Sequence, residues 1–187
     1  MFNDKYGLTE AVLSGVKTQT RRNSGFDEGM NPHLTLLLRS EKGREEFIDK
    51  KSRYKVGEVV AIAQSYRDCK RFVCLQESAG WSNKMFVKAD LMPHHIKITN
   101  IRLERLQDIS DDDCLKEGVF GLTDSMNPSI GTYTFSGANR LYSTPKEAFA
   151  SLIDATCGRG TYDSNPYVFV YDFRIIRINI LSLLFKR

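Results

Sequence analysis

The chain of 187 residues lacks the sequence features by which metal sites and disulfide scaffolds are identified. Its four cysteines fit neither a zinc-binding spacing nor a disulfide framework. His94 and His95 are adjacent, so on a strand they point to opposite faces, and His33 stands alone. We therefore expect no metal and no other cofactor. The cysteines are Cys69, Cys74, Cys114 and Cys157.

Targeting signals and membrane spans are also missing. The N-terminus is charged and has no apolar run, unlike a secretory leader. The most apolar stretch, 175–185, is short and contains Arg177 and Asn179, so we do not expect it to span a bilayer. The absence of an N-glycosylation sequon fits the same interpretation. We expect a cytoplasmic protein with no membrane partner.

The common catalytic and phosphate-binding motifs are absent. Glycine-rich phosphate loops of the two standard spacings do not occur. The G-x-S-x-G motif of serine hydrolases is missing as well. Nothing in the sequence points to a cysteine nucleophile paired with a histidine. The chemistry must therefore be sought in less common patterns.

Net charge gives little indication of a partner. The formal charge is +4, from 27 Lys+Arg against 23 Asp+Glu. Residues 174–187 hold four basic and no acidic side chains, which leaves residues 1–173 neutral. A basic binding surface must therefore come from local clustering. The acidic segment 104–117, with a net charge of −4, is interpreted as a polar helix start favoured by the helix dipole.

Apolar spacing and capping residues predict a small α+β domain built around a curved or barrel-like sheet. The strand at 167–173 has apolar residues on both faces and is expected to be fully buried. The segment 119–143, rich in Gly, Ser, Thr and Asn, is predicted to be a long loop. Helices are predicted at 9–15, 41–51, 110–118 and 144–158, and the remaining strands at 56–63, 71–76, 85–88 and 96–103.

The most informative segment is 15–22, in which cations and hydroxyls are concentrated without an acid. In an extended chain Thr20 and Arg22 point to one face and Lys17 and Arg21 to the other, whereas a turn brings Lys17 next to Thr20. These side chains suit the binding of an anion or of a polar base edge. A partly buried lysine with a lowered pKa also suits general-base chemistry toward a hydroxyl or water. A solvated basic turn is the third interpretation, and all three stay open at this point.

The pattern Gly15-x-Lys17-x-x-Thr20-x-Arg22 resembles the signature of the ASCH domain, a relative of the PUA RNA-binding domain. Further blocks in the same order resemble that family, and together they cover most of residues 5–173. The longer ASCH proteins of phages and prophages are the most similar in pattern. These blocks are 54–60, 92–93, 98–110 and 165–170.

The resemblance implies the fold and the domain boundaries. It implies a single PUA-like β-barrel domain over residues 1–173 with helices packed outside the barrel. Loop insertions are expected near 23–53 and 119–143. Residues 174–187 form an apolar and basic extension, which is a candidate contact for a homodimer.

The resemblance also implies a cleft beside the motif. Family members are thought to bind RNA or nucleotides, and a small bacterial branch hydrolyses the amide of N4-acetylcytidine with the motif lysine and threonine and a strand glutamate. Lys17 and Thr20 match the first two residues. Alignment places Lys97 at the glutamate position, and Glu104 points to the opposite face of an unbroken strand. We therefore expect a basic cleft in which Lys17 has no partner acid.

Three functions are compatible with these observations. The leading prediction is a module that binds RNA or a modified nucleotide. The alternative is an amidohydrolase on an N4-acylated cytidine-like nucleoside, with Lys17 as base and Thr20 as nucleophile or oxyanion support. A non-catalytic protein-interaction domain is the third. The residues expected to contact the ligand are Gly15, Arg21, Arg22, Gln64, Tyr66 and Lys97.

Overall fold

The computed structural model describes residues 2–26, 32–70, 73–123 and 131–177. They form a mixed α+β arrangement, which confirms the predicted class. The helices are α1 (Leu8–Leu13), α2 (Pro32–Leu37), α3 (Glu41–Lys51), α4 (Tyr66–Cys69), α5 (Asp111–Lys116) and α6 (Pro145–Cys157). The strands are β1 (Gln19–Asn23), β2 (Val59–Ala61), β3 (His94–Arg105), β4 (Val119–Thr123), β5 (Gly131–Phe135) and β6 (Tyr167–Arg177). Short 3-10 helices occupy Val73–Leu75, Lys84–Phe86, Ala89–Leu91 and Leu106–Asp108.

The main sheet is antiparallel and has the strand order β1-β6-β3-β2. Helix α6 packs on the face that carries Val168 and Val170, here called the α6 face. Helix α3 packs on the face that carries Phe169 and Tyr171, here called the α3 face, where the ring of Phe47 stacks on Phe169 at 5.7 Å. Strand β6 is thus buried on both sides, as its apolar pattern predicted. Within the described residues β1 and β2 lie at opposite edges and do not pair with each other.

A β-bulge in β3 reverses the alternation of the strand. The register with β6 shifts between Ile98 and Asn100, so Thr99 is an extra residue. Ile98 and Leu103 consequently both lie on the α3 face, although an odd number of positions separates them. Side chains after Thr99 therefore point to the face opposite to the one that their residue numbers would give in an unbroken strand. The expectation that positions 97 and 104 face opposite ways is therefore wrong.

Two predicted strands are replaced by 3-10 helices. Of the strand predicted at 71–76, residues 71–72 lie outside the described part, and Val73–Leu75 form a 3-10 helix. The strand predicted at 85–88 is also wrong, because Lys84–Phe86 form a 3-10 helix. The asparagine before that helix accepts a backbone hydrogen bond through its side chain, and the apolar side chains of the segment are exposed. Their alternation therefore does not reflect a buried sheet face.

The predicted long loop at 119–143 contains a second sheet. Strands β4 and β5 pair antiparallel, while residues 124–130 between them lie outside the described part. Val119 and Phe135 are buried in the core cluster on the α6 face. The glycines and hydroxyl side chains of this segment favour a loop, but the burial of Val119 and Phe135 favours the paired strands.

The two helices that approach the motif begin as their sequences predicted. Ser110 Oγ accepts a hydrogen bond from the backbone N–H of Asp113 at 3.2 Å at the start of α5. Thr144 Oγ1 accepts one from the N–H of Glu147 at 3.2 Å at the start of α6. These caps fix where each helix starts, and so place the end of α5 beside residues 17–21.

The C-terminal extension joins the main sheet at its start. Residues 174–177 continue β6, whereas residues 178–187, which carry most of the predicted strand extension and homodimer contact, lie outside the described residues. Among the described residues, no helix has both the length and the apolar character needed to cross a bilayer.

Replacing the α6 cap tests the contribution of that helix. We expect Thr144→Ala to lower the free energy of unfolding by about 1 kcal/mol, because it removes the side-chain acceptor at the helix start. Ser143→Ala is the matched control, since Ser143 contributes only its backbone N–H to the Glu147 carboxylate, at 3.0 Å. Urea unfolding of both variants measures the difference, and equal midpoints would contradict the role of the cap.

Candidate functional site

The motif begins with a turn that buries Lys17. Gly15 has a left-handed φ of 79°, and it follows the end of α1. The backbone N–H of Lys17 donates to Ala11 O at 2.8 Å, and that of Thr18 donates to Lys116 O at 3.0 Å. These two bonds hold the turn between α1 and α5. Lys17 is only 2% exposed as a result.

The buried ammonium of Lys17 is paired with Glu117. Its Nζ donates to the Glu117 side chain at Oε2 and to the Glu117 backbone carbonyl at 2.8 Å. Glu117 follows the last residue of α5 and is itself buried. The next residue, Gly118, has φ +106°, and a Cβ there would lie 3.3 Å from Leu8 Cδ2. The glycine therefore allows the chain to turn tightly beside Lys17.

Glu117 supplies the partner acid that we did not expect. The family resemblance places this carboxylate on strand β3 at position 97. In the structure the carboxylate belongs to Glu117, the residue after helix α5. Lys17 and Glu117 lie 100 residues apart in the chain. The expectation that Lys17 has no partner acid is therefore wrong.

Arg21 binds the second oxygen of the same carboxylate. Its Nη1 donates to Glu117 Oε1 at 3.0 Å and to Gln19 Oε1 at 2.5 Å. Its Nη2 donates to Glu104 Oε1 at 2.6 Å, and the guanidinium lies over the Phe149 ring at 5.6 Å. Arg21 is 5% exposed, so these bonds replace its hydration. It joins β1 to β3 and to the end of α5.

A second set of ion pairs surrounds this centre. Arg102 donates to Glu104 at 3.0 Å, to Asp172 at 2.9 Å and to Asp113. Burial acts to raise the pKa of Asp113, but Lys116, Arg102 and Arg21 outweigh it and lower that pKa. Four cations thus face four carboxylates, and the network as a whole is neutral. Its members are Lys17, Arg21, Arg102, Lys116, Glu104, Asp113, Glu117 and Asp172.

Thr20 and Arg22 lie on the α3 face of β1, and Arg21 lies on the α6 face. A cleft of about 850 Å³ at this sheet edge is lined by all three and by Lys17. The Thr20 hydroxyl makes no hydrogen bond within the described chain, and it is not among the unpartnered, fully buried polar atoms. Thr20 thus lines the same cleft as Lys17 and Glu117 and has a hydroxyl without a partner in the described chain. Its other wall includes Ser65, Arg67, Asp68, Asn83 and Lys84.

The environment of Lys17 favours loss of its proton. Burial lowers the pKa of Lys17, and the positive charges of Arg22 and Arg21 act in the same direction. Glu117 opposes this change without outweighing it. A lysine that holds its proton less tightly than usual, at the wall of a cleft, is suited to general-base chemistry.

A second cavity lies on the α3 face. It has a volume of about 360 Å³ and shares Phe2, Thr20 and Arg22 with the larger cleft. The two spaces therefore adjoin at these residues. A ligand bound at Thr20 is therefore able to extend into both.

The remaining predicted ligand residues lie elsewhere. Gln64 Oε1 is 2.8 Å from His94 Nδ1, and neither Gln64 nor the exposed Gly15 lines the cleft or the second cavity. Tyr66 is 3% exposed, and its hydroxyl accepts a bond from the N–H of Lys88 at 2.9 Å. Lys97 pairs with its strand neighbours and also lies outside both spaces. Of the predicted residues, the structure brings together those of the motif from Lys17 to Arg22.

The acidic members of the site escaped prediction. The cluster at 104–117 is visible in the sequence, and we interpreted it as a helix start. The available signal was charge balance: buried cations at 17 and 21 require anions, and this cluster is the densest source of them. Among the described residues, no group of three or more His, Cys, Asp and Glu side chains is placed to hold a metal ion.

Comparisons with protein-family models, curated proteins and solved structures find no match to this chain. The ASCH resemblance therefore stays a prediction from the sequence motifs. The candidate site is therefore defined by the cleft that Lys17, Thr20 and Glu117 line together.

Removing the central carboxylate tests the network. We expect Glu117→Gln to lower the free energy of unfolding by about 3–5 kcal/mol, because it leaves two buried cations without their common anion. Urea unfolding at neutral pH is the measurement. Glu45→Gln, on the exposed face of α3, is the matched control and should change stability by less than about 0.5 kcal/mol. Similar losses in both variants would show that the network does not hold the fold.

Proposed function

We propose that the protein is an amidohydrolase that removes the acyl group from an N4-acylated cytidine-like nucleoside. The observation that carries this proposal is the free Thr20 hydroxyl in the same cleft as the buried Lys17–Glu117 pair. The ASCH resemblance supplies the substrate class, and Glu117 supplies the carboxylate that the resemblance calls for. We also propose that the β1-β6-β3-β2 sheet is part of a PUA-like barrel, which the bulge in β3 would help to curve.

The charge balance of the site favours an uncharged reacting group. Lys17 and Arg21 are bonded to carboxylates, so their charge is not available to a phosphate in the cleft. An amide carbonyl carries no formal charge and needs no counter-ion. This argument moves the amidohydrolase ahead of the phosphate-binding module that the sequence alone favoured.

The proposed reaction assigns one role each to Lys17, Thr20 and Glu117, which line the same cleft. Neutral Lys17 takes the proton of the Thr20 hydroxyl as Oγ1 bonds to the acyl carbon. The ammonium then gives this proton to the departing N4 nitrogen as the carbon–nitrogen bond breaks. Water hydrolyses the threonine ester, which releases the carboxylic acid and restores the hydroxyl. The backbone and side chain of Glu117 accept two hydrogen bonds from Lys17, which leaves the lone pair of the neutral amine without a partner in the described chain.

Substitutions of the two reacting side chains test this proposal. Lys17→Arg keeps a cation for Glu117 but removes the base, so we expect a loss of at least about 100-fold in kcat. Thr20→Ala should abolish turnover, while Thr20→Ser should retain it because the hydroxyl remains. Wild-type activity should rise with pH, with a midpoint below the ordinary lysine value of 10.5, because burial lowers the pKa of Lys17 and the neutral amine is the base.

The assay is the release of cytidine from N4-acetylcytidine by the full chain. Lys50→Arg, on the exposed surface of α3, is the matched control and should be fully active. Circular dichroism of each variant checks that the fold is kept. Absence of turnover in the wild type, or equal turnover in Thr20→Ala and Thr20→Ser, would refute the mechanism.

A binding module without catalysis is the second candidate, and the position of Arg22 favours it. Arg22 is exposed and lines both the cleft and the second cavity. A guanidinium at this shared rim is placed to meet the backbone of a single-stranded RNA. On this proposal the cleft holds an extruded base.

A titration with a short single-stranded RNA tests the second candidate. We expect amide chemical shifts at the sheet edge to move at low salt, and the affinity to fall as salt rises. Arg22→Gln should weaken binding, whereas Arg39→Gln, on an exposed residue outside both spaces, should not. RNA binding that is absent at low salt, or is insensitive to Arg22, rules this candidate out.

A further inference from the structure

The cavity on the α3 face differs from the cleft in its charge. Among the described residues that line it are three cations and no Asp or Glu. Lys51 and Arg53 form no ion pair within the described chain, and both are exposed. The described lining of the cleft, by contrast, includes the carboxylates of Asp4, Asp68 and Glu117. The three cations of the cavity are Arg22, Lys51 and Arg53.

Arg53 is held in place by its neighbours. Its backbone N–H donates to Tyr171 Oη at 3.3 Å. Ser52 Oγ donates to Tyr54 O at 2.8 Å and lies 3.0 Å from Tyr171 Oη, so the tyrosine hydroxyl must donate to Ser52. The guanidinium carbon lies 5.6 Å from the Tyr54 ring centre. These contacts fix the segment after α3 to strand β6 before any ligand arrives.

The composition of the cavity suits a phosphorylated aromatic ligand. A guanidinium binds a phosphate through two parallel hydrogen bonds, and a lysine adds a point charge. Tyr54 and Phe2 offer aromatic surface, and Ile62, Ile98 and Phe169 form an apolar floor. The volume of about 360 Å³ lies within the range of small-molecule sites.

We propose that this cavity binds the phosphate of a pyrimidine nucleotide whose acyl group reaches the cleft at Lys17. The two spaces share Phe2, Thr20 and Arg22, so a ligand at Thr20 is able to contact residues of both. This inference rests on the proposed amidohydrolase activity, because that proposal places the reacting amide in the cleft. It adds that the substrate carries a phosphate, either as a free nucleotide or as a residue of RNA.

The experiment compares the binding of cytidine 5′-monophosphate and cytidine to the full chain by calorimetry at low salt. We expect the wild type to bind the monophosphate at least about tenfold more tightly, as one charge-assisted contact provides. Lys51→Gln/Arg53→Gln should reduce its affinity to that of cytidine. Lys42→Gln/Lys50→Gln removes the same charge from exposed positions of α3 outside the cavity and should keep the preference.

Two outcomes overturn the phosphate site. One is equal affinity for the two ligands in the wild type, and the other is a preference that survives Lys51→Gln/Arg53→Gln. A cytidine-centred trinucleotide forms the second arm. Tighter binding of the trinucleotide than of the monophosphate supports the site with RNA as the phosphate source, and weaker binding supports it with the free nucleotide as the source.

The same proteins separate this inference from the proposed function. Wild-type hydrolysis of N4-acetylcytidine and of its 5′-monophosphate with equal kcat/KM overturns the phosphate site and leaves the amidohydrolase standing. Selective binding of the monophosphate that is lost in Lys51→Gln/Arg53→Gln, without any hydrolysis, supports the site and overturns the amidohydrolase.

Discussion

The carboxylate of Glu117 is shared between two buried cations, and the arrangement of the surrounding elements depends on it. One oxygen binds Lys17 and the other binds Arg21. Burying a cation is costly unless its hydrogen bonds are satisfied, so neither side chain is stable in this place without the anion. The pairing joins the turn after α1, the edge strand β1 and the end of α5. The position of Lys17 is therefore set by the same contacts that hold these three elements together.

The edge strand β1 separates two environments. Side chains on its α6 face enter a balanced ionic network, and those on its α3 face line a cavity whose described lining holds Arg22, Lys51 and Arg53 but no Asp or Glu. Thr20 lies where the two meet. Alternation along one short strand thus directs Arg21 into the ionic network and Arg22 to the cavity on the other face.

Local signals predicted the parts of the structure that local contacts determine. The burial of β6 and the caps of α5 and α6 follow from nearby residues, and so does the grouping of Lys17 to Arg22. The partner of Lys17 did not follow, because it lies 100 residues away and only the folded chain brings it near. The bulge at Thr99 was not predicted either. The apolar residues alternate regularly before and after it, and the sequence has no separate signal for the extra residue between them.

The bulge at Thr99 divides β3 into two segments in which residues of opposite number parity face the same side of the sheet. Before Thr99 the even-numbered isoleucines lie on the α3 face, and after it the odd-numbered residues do. Deleting Thr99 would leave Ile98 opposite Phe173 and Asn100 opposite Asp172, so Leu103 would stay on the α3 face of a strand without a bulge. The pairing of β3 with β6 is thus compatible with one residue fewer, and the exposed, unpaired Thr99 acts on the bend and twist of the strand at this point.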